Sequence, residues 1–167
     1  MSANPIYNIH LLSKKGTQVN GTDNQVSFFF DWNMMPKGKY KCSFTFIGSK
    51  NILVGNNVCL VSCRLGASKN FEAGGDNVAT SSSNILGHLF PSSLSTSPTL
   101  VNFLYSKLNC NSVTYLDSLP VTNEIVIELI DAKIPSSPFL DDNANDGAQP
   151  VGSDYGWILS LSLEHLG

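Results

Sequence analysis

The sequence predicts an all-β protein, an antiparallel sandwich of about eight strands in a single domain spanning residues 1–167. Three observations lead there. The first is residues 154–164, where Tyr155, Trp157, Leu159, Leu161 and Leu163 fall on one side of a period-two pattern. Asp154, Gly156, Ile158, Ser160, Ser162 and Glu164 fall on the other. Alternation this long marks a strand with one buried face and one mostly wet face. At roughly 3.4 Å per residue it spans about 35 Å, so it needs long partners and reads as the closing, central strand of a large sheet. The second observation is composition. Charged residues make up 14% of the chain, against the usual ~25%, and Ser, Thr, Asn and Gly take their place. Those residues suit turns and strand surfaces better than helix faces. The third is spacing: turn signals separate short alternating runs along the whole chain, with no internal repeat.

The first strand covers residues 6–14, with Tyr7, Ile9 and Leu11 on one face and Asn8, His10 and Lys14 on the other. Lys15, Gly16 and the polar residues 20–24 supply turn chemistry. A second strand places Val26, Phe28, Phe30 and Trp32 together, with Phe29 an apolar residue on the opposite face. Pro36, Lys37 and Gly38 turn the chain. The third strand, 39–48, puts Tyr40, Cys42, Phe44 and Phe46 inside and Lys41, Ser43 and Thr45 outside. A buried ring removes about 150–250 Å² from water, so this aromatic row reads as core rather than as a ligand platform.

The fourth strand, 56–65, is apolar on both faces, with Val58 and Leu60 against Cys59, Val61 and Cys63. That predicts a strand covered on both sides or lying at a subunit contact. Residues 67–84 read as irregular, 85–90 as a short apolar strand closed by Pro91, and 92–98 as a Ser/Pro loop. Residues 99–109 fit helical spacing nearly as well as strand spacing, and the all-β setting decides for strand. A short strand at 112–116 and a turn at 117–120 follow. The strand at 123–132 has Ile125, Ile127 and Leu129 on one face and Glu124, Val126 and Glu128 on the other. A long loop rich in Pro, Asp, Asn and Gly precedes the closing strand. Even strand spacing and long late loops point to Greek-key crossovers in a sandwich or jelly roll.

Nothing in the sequence assembles a catalytic centre. There is no Gly-x-Ser-x-Gly elbow and no Gly-rich loop opening a helix. Glu124 and Glu128 share one strand face, whereas paired glycosidase carboxylates come from different strands, so these two read as a wet face. The chain is therefore not expected to be an enzyme, and no catalytic, cofactor-binding or metal site is assigned. The loop Asp141, Asp142, Asn143, Ala144, Asn145, Asp146, Gly147 has the composition of a calcium loop. Counted from Asp142, however, Ala144 occupies a ligand position and Ser153 stands where a bidentate Glu is needed, so a solvated turn is the better account. Cys42, Cys59, Cys63 and Cys110 sit in apolar, strand-like sequence and read as reduced, buried small hydrophobes. Cys59 and Cys63 share a face, yet zinc needs two further ligands. His10, His88 and His165 give no ligand pattern.

Net charge is −3. Lys37, Lys39 and Lys41 surround Tyr40, which belongs to the inward row, and Lys14-Lys15 is a single basic pair, so nucleic acid is not an expected partner. No apolar run approaches the ~20 residues of a membrane span, and the first residues show no basic-then-apolar secretory signal. Charge is divided along the chain. Residues 1–69 hold eight Lys/Arg against Asp23 and Asp31, giving +6, and residues 70–167 hold Lys107 and Lys133 against eleven acids, giving −9. Either interleaved strands cancel this division, or it makes a dipolar particle that packs beside its copies.

Three pieces of the C-terminal third belong together: Ser112 to Tyr115, then Leu119, Pro120 and Asn123 leading into the alternating strand to Asp131, and finally Asp154, Tyr155, Leu161, Leu163 and Glu164 of the closing strand. Together they resemble the last strands of single jelly-roll capsid proteins. Those are the penton and minor capsid proteins of large eukaryotic DNA viruses and of virophage-like and polinton-like viruses. The resemblance implies an eight-stranded jelly roll of two four-stranded sheets, no enzymatic activity and no cofactor. It implies a structural place in the icosahedral shell of a virion, as a homo-oligomer (a pentamer first) that contacts other capsid proteins. The chain departs from the pattern in having no large insertion to serve as a spike, so the expectation is a structural subunit rather than a receptor binder. A second reading keeps the fold and changes the role: an oligomeric recognition module, lectin-like or similar to tumour-necrosis-factor folds, binding glycans or a receptor through its loops. An exposed Trp or Tyr beside an Asp/Asn calcium loop would mark it, whereas Trp32 and Trp157 fall in inward-facing rows.

Overall fold

The structure is a computed structural model that describes residues 3–19, 25–51, 59–65, 70–73, 81–91, 100–105, 113–131 and 157–167. Among these the strands are β1 (Ile6–Leu12), β2 (Thr17–Gln18), β3 (Gln25–Phe29), β4 (Tyr40–Asn51), β5 (Cys59–Cys63), β6 (Phe71–Glu72), β7 (Ser81–Ser82), β8 (Ile85–Pro91), β9 (Leu100–Tyr105), β10 (Thr114–Leu116), β11 (Glu124–Asp131) and β12 (Trp157–His165). No α-helix occurs among the described residues.

The closing strand is central, as its length requires: β12 lies between β1 and β4, in the order β1-β12-β4-β9. The second layer runs β8-β5-β11-β3, with β2 beyond β3, and β10 adds to β4. Followed in sequence, the longer strands enter the first sheet with β1, cross to β3, return with β4, cross for β5 and β8, return with β9, cross with β11 and close with β12. All these pairings are antiparallel. Two Greek keys interleaved in this way form a jelly roll. One strand joins the layers, because β8 pairs with β5 through Leu60↔His88 and with β9 through Phe90↔Leu104.

Period-two alternation fills the space between the layers. Leu159 lies opposite Leu11 and Phe46, Leu161 opposite Ile9 and Phe44, and Leu163 opposite Tyr7 and Cys42. From the other layer, Ile125 lies beside Phe28, Ile127 beside Val26 and Cys63, and Leu129 beside Val61. Tyr7 and Phe28 are partly buried and the rest fully so. Each aliphatic side chain taken out of water contributes about 1.5–3 kcal/mol. Trp157 clasps the two layers. Its ring stacks on Phe46 of its own sheet (5.8 Å between centroids) and meets Phe28 of the other edge-on at 6.1 Å. Its backbone N–H donates to the hydroxyl of the buried Ser13 at 3.0 Å.

Several local expectations change. The second strand ends at Phe29, short of Trp32. The Asp31 carboxylate accepts from the backbone N–H of Asn33 (3.1 Å) and starts a 3-10 turn, Trp32–Met34. A side chain that satisfies the backbone locally competes with the ladder. Trp32 is still buried, edge-on to Phe30 at 4.8 Å, but it enters the core from a turn. Lys14 likewise sits in a 3-10 turn, Ser13–Lys15, and not at the end of the first strand. Part of the 67–84 stretch is structured, since β6 pairs with β7. Beside them the Asn70 amide donates to the Ile85 carbonyl and to the Thr114 hydroxyl, both at 2.8 Å. The ambiguous 99–109 segment is strand over Leu100–Tyr105.

Candidate assembly surface

Among the described residues, those singled out for chemistry do not converge. Among the described residues no group of three His, Cys, Asp or Glu is placed to hold a metal ion. The Asp141-to-Gly147 loop and Cys110 lie outside the described residues. Cys42 and Cys63 are free and buried. Burial pushes the Cys42 thiol up to about 12 and the Cys63 thiol well above its usual value, with Cys42 adding to the latter. Thiols in that state are protonated at neutral pH, which suits buried packing residues. His10 Nδ1 lies 2.7 Å from the Ser160 hydroxyl on the outside of the first sheet. His165 packs on the Tyr40 ring, 5.0 Å between centroids, with Nε2 within 3.2 Å of the Lys37 carbonyl. His88 is on the other sheet, opposite Leu60. Glu124, exposed on β11, accepts from the Ser27 hydroxyl at 2.6 Å.

The Lys37-Lys39-Lys41 stretch is a structural corner. The Tyr40 hydroxyl donates to the Pro36 carbonyl (2.5 Å), and the backbone of Lys39 bonds both Leu166 and Gly167. Gly38 adopts φ +150°, and a Cβ there would collide with the His165 ring. Lys41 reaches Glu164 at 3.9 Å across the sheet. An exposed pair of that kind is worth about 0–1 kcal/mol.

The outer sheet faces are more informative. Register arranges the outward residues of the first sheet in rows across β1, β12 and β4. Leu12, Ile158 and Ile47 form the first row, His10, Ser160 and Thr45 the second, and Asn8, Ser162 and Ser43 the third. Ile6, Glu164 and Lys41 form the fourth, which Tyr115 of β10 extends. The middle rows are polar and hold no Lys, Arg, Asp or Glu, with the Ser162 hydroxyl donating to Asn8 Oδ1 at 2.7 Å. The first row is apolar, and Ile47 and Ile158 are 55% and 43% exposed. Lys14 and Lys15 follow Leu12 at its edge.

The opposite layer carries two further exposed apolar side chains. Phe29, 80% exposed, lies opposite Glu124, and Val121, 99% exposed, is three residues upstream of that Glu. The backbone N–H of Phe30 donates to the Asn123 carbonyl (3.0 Å), which ties the two segments together. Residues 25–33 and 113–131 carry Asp31, Asp117, Glu124, Glu128 and Asp131 and no Lys or Arg. Arg64, exposed, stands across β11 from Ser27, its backbone N–H donating to the Val126 carbonyl at 3.3 Å. Leu60, which made the fourth strand apolar on both faces, is half-buried on this outer side.

Clustered exposed apolar side chains with polar rims mark interaction sites on soluble folds, and the cores of interfaces are depleted in charge. Alternation alone puts Ile158 on a wet face, and the row exists only once three strands are in register. No family model, no curated protein and no solved structure matches the chain. Among the described residues no helix is long and apolar enough to cross a membrane.

Proposed function

We propose that this protein is a structural capsid subunit of an icosahedral DNA virus, a penton or minor capsid protein, that acts by self-assembly without catalysis. The observation that carries the reading is the strand connectivity. Two four-stranded layers, β1-β12-β4-β9 and β8-β5-β11-β3, are wound as the jelly roll implied by the capsid-like closing segments. A fold alone does not give a function. The surface adds the second support, an outer sheet face with an apolar end row and a centre that holds no Lys, Arg, Asp or Glu. In this role the working state is a homo-oligomeric ring, a pentamer first, which meets other capsid proteins in the virion. The recognition-module reading has less support, because Trp32 and Trp157 are both buried and leave no exposed indole for a sugar ring to stack on.

The test is light scattering on the purified protein over a concentration series, followed by electron microscopy. Rings or shells support the proposal. A monomer of 18.0 kDa at every concentration overturns it, and glycan binding by that monomer favours the recognition module.

A further inference from the structure

We infer that the apolar row docks on the exposed Phe29 corner between copies: the row Leu12, Ile158 and Ile47 of one molecule receives Phe29 and Val121 of the next. The inference rests on the self-assembling subunit proposed above and names the surfaces through which it assembles.

Charge identifies the occupant as a second copy of this chain. The apolar row is edged by Lys14 and Lys15, and β1 with its 3-10 turn contributes no acid. Around Phe29 stand Glu124, directly opposite, and Asp31, two residues on, with Glu128 further along β11, against one base, Arg64, across that strand. Two rows facing each other would oppose lysines to lysines, and two corners would oppose acids to acids. Row against corner opposes unlike charges around an apolar centre. Exposed pairs contribute only about 0–1 kcal/mol each, so they set orientation while apolar burial holds the contact. The row and the corner lie on outer faces of different sheets, so the contact is heterologous. Each copy uses its row on one neighbour and its corner on another, and the chain of contacts closes into a ring when the rotation permits.

A heterologous contact makes a prediction that a twofold contact does not. Ile47→Asp disables the row and leaves the corner intact; Phe29→Asp does the reverse. Both positions are exposed, so both variants are expected to keep the wild-type melting temperature and far-ultraviolet spectrum. Each alone is expected to scatter as a monomer under conditions where the wild type assembles. Mixed in equal amounts, they are expected to give a species of twice 18.0 kDa and nothing larger, because one intact row meets one intact corner and no further contact remains. An assembling wild type with variants that assemble equally well, or a mixture that stays monomeric, overturns the docking scheme and leaves the assembly reading standing. A wild type that is monomeric at all concentrations overturns both.

Discussion

Trp157 packs against both layers, and Trp157→Ala tests that packing directly. The side chain is 3% exposed, stacked on Phe46 and edge-on to Phe28. Removing a ring of this size from a packed interior costs roughly 3–5 kcal/mol. In a chain of 167 residues each kcal/mol moves the melting temperature by about 2–4 °C, so the expected fall is roughly 6–20 °C. A cycle with Phe28→Leu separates the cross-layer contact from general loss of volume. The two substitutions are expected to couple by about 0.5–1.5 kcal/mol, the worth of an aromatic pair beyond its burial. Val121→Ala, at a 99% exposed position, serves as the control and is expected to change stability by no more than about 0.5 kcal/mol. Denaturant and thermal melts read all three. A Trp157→Ala protein melting within about 2 °C of wild type, or additive Trp157 and Phe28 effects, would refute the idea that this ring clasps the sandwich.

Two further outcomes follow from close contacts and buried thiols. Gly16 has an ordinary φ of −86°, but a Cβ there would collide with Val26 Cγ1 and lie 2.7 Å from Phe28 Cε1. Gly16→Ala is therefore expected to cost about 1–3 kcal/mol by overpacking alone, and an unchanged urea midpoint would show that the turn yields freely. The Cys42 thiol, raised from 9.0 to about 12 by burial, favours the folded state most fully below pH 9. Above that pH the unfolded thiol ionises while the folded one does not. Stability is expected to fall toward pH 12 by up to about 1.4 kcal/mol per pH unit for this group. Cys63, raised in the same direction, adds to the fall. Urea melts from pH 8 to 11 should show a shallower slope for Cys42→Ala, and equal slopes would mean that the thiol meets water in the folded state.

The all-β class, the central closing strand and most core residues were legible because they depend on period-two alternation, which any single strand displays by itself. Tyr40, Cys42, Phe44 and Phe46 are buried as their spacing requires. What failed was local competition. Phe30 and Trp32 continue the alternation of the second strand, but the Asp31 side chain captures a backbone N–H and turns the chain. Two-residue strands such as β6 and β7 are too short to show a period, so Asn70 passed as part of a linker although its amide ties β8 to β10. The candidate surface was the least legible feature. Ile47 and Ile158 look like scattered exceptions on wet faces until the register sets them side by side.

The pairing of β1 with β12 also bears on when the proposed assembly could begin. His10 meets Ser160 across 150 positions of sequence, and contacts that distant form late, because the chain between them must close first. Among the described residues β12 is the strand on which β1 pairs. Until β12 inserts, Leu12 and Ile47 have no Ile158 between them, and the apolar row is not a surface at all. In the assembly proposed above, docking through that row would proofread folding. A molecule with an unfinished first sheet could not present the row to a neighbour, and only a completed one would join the ring.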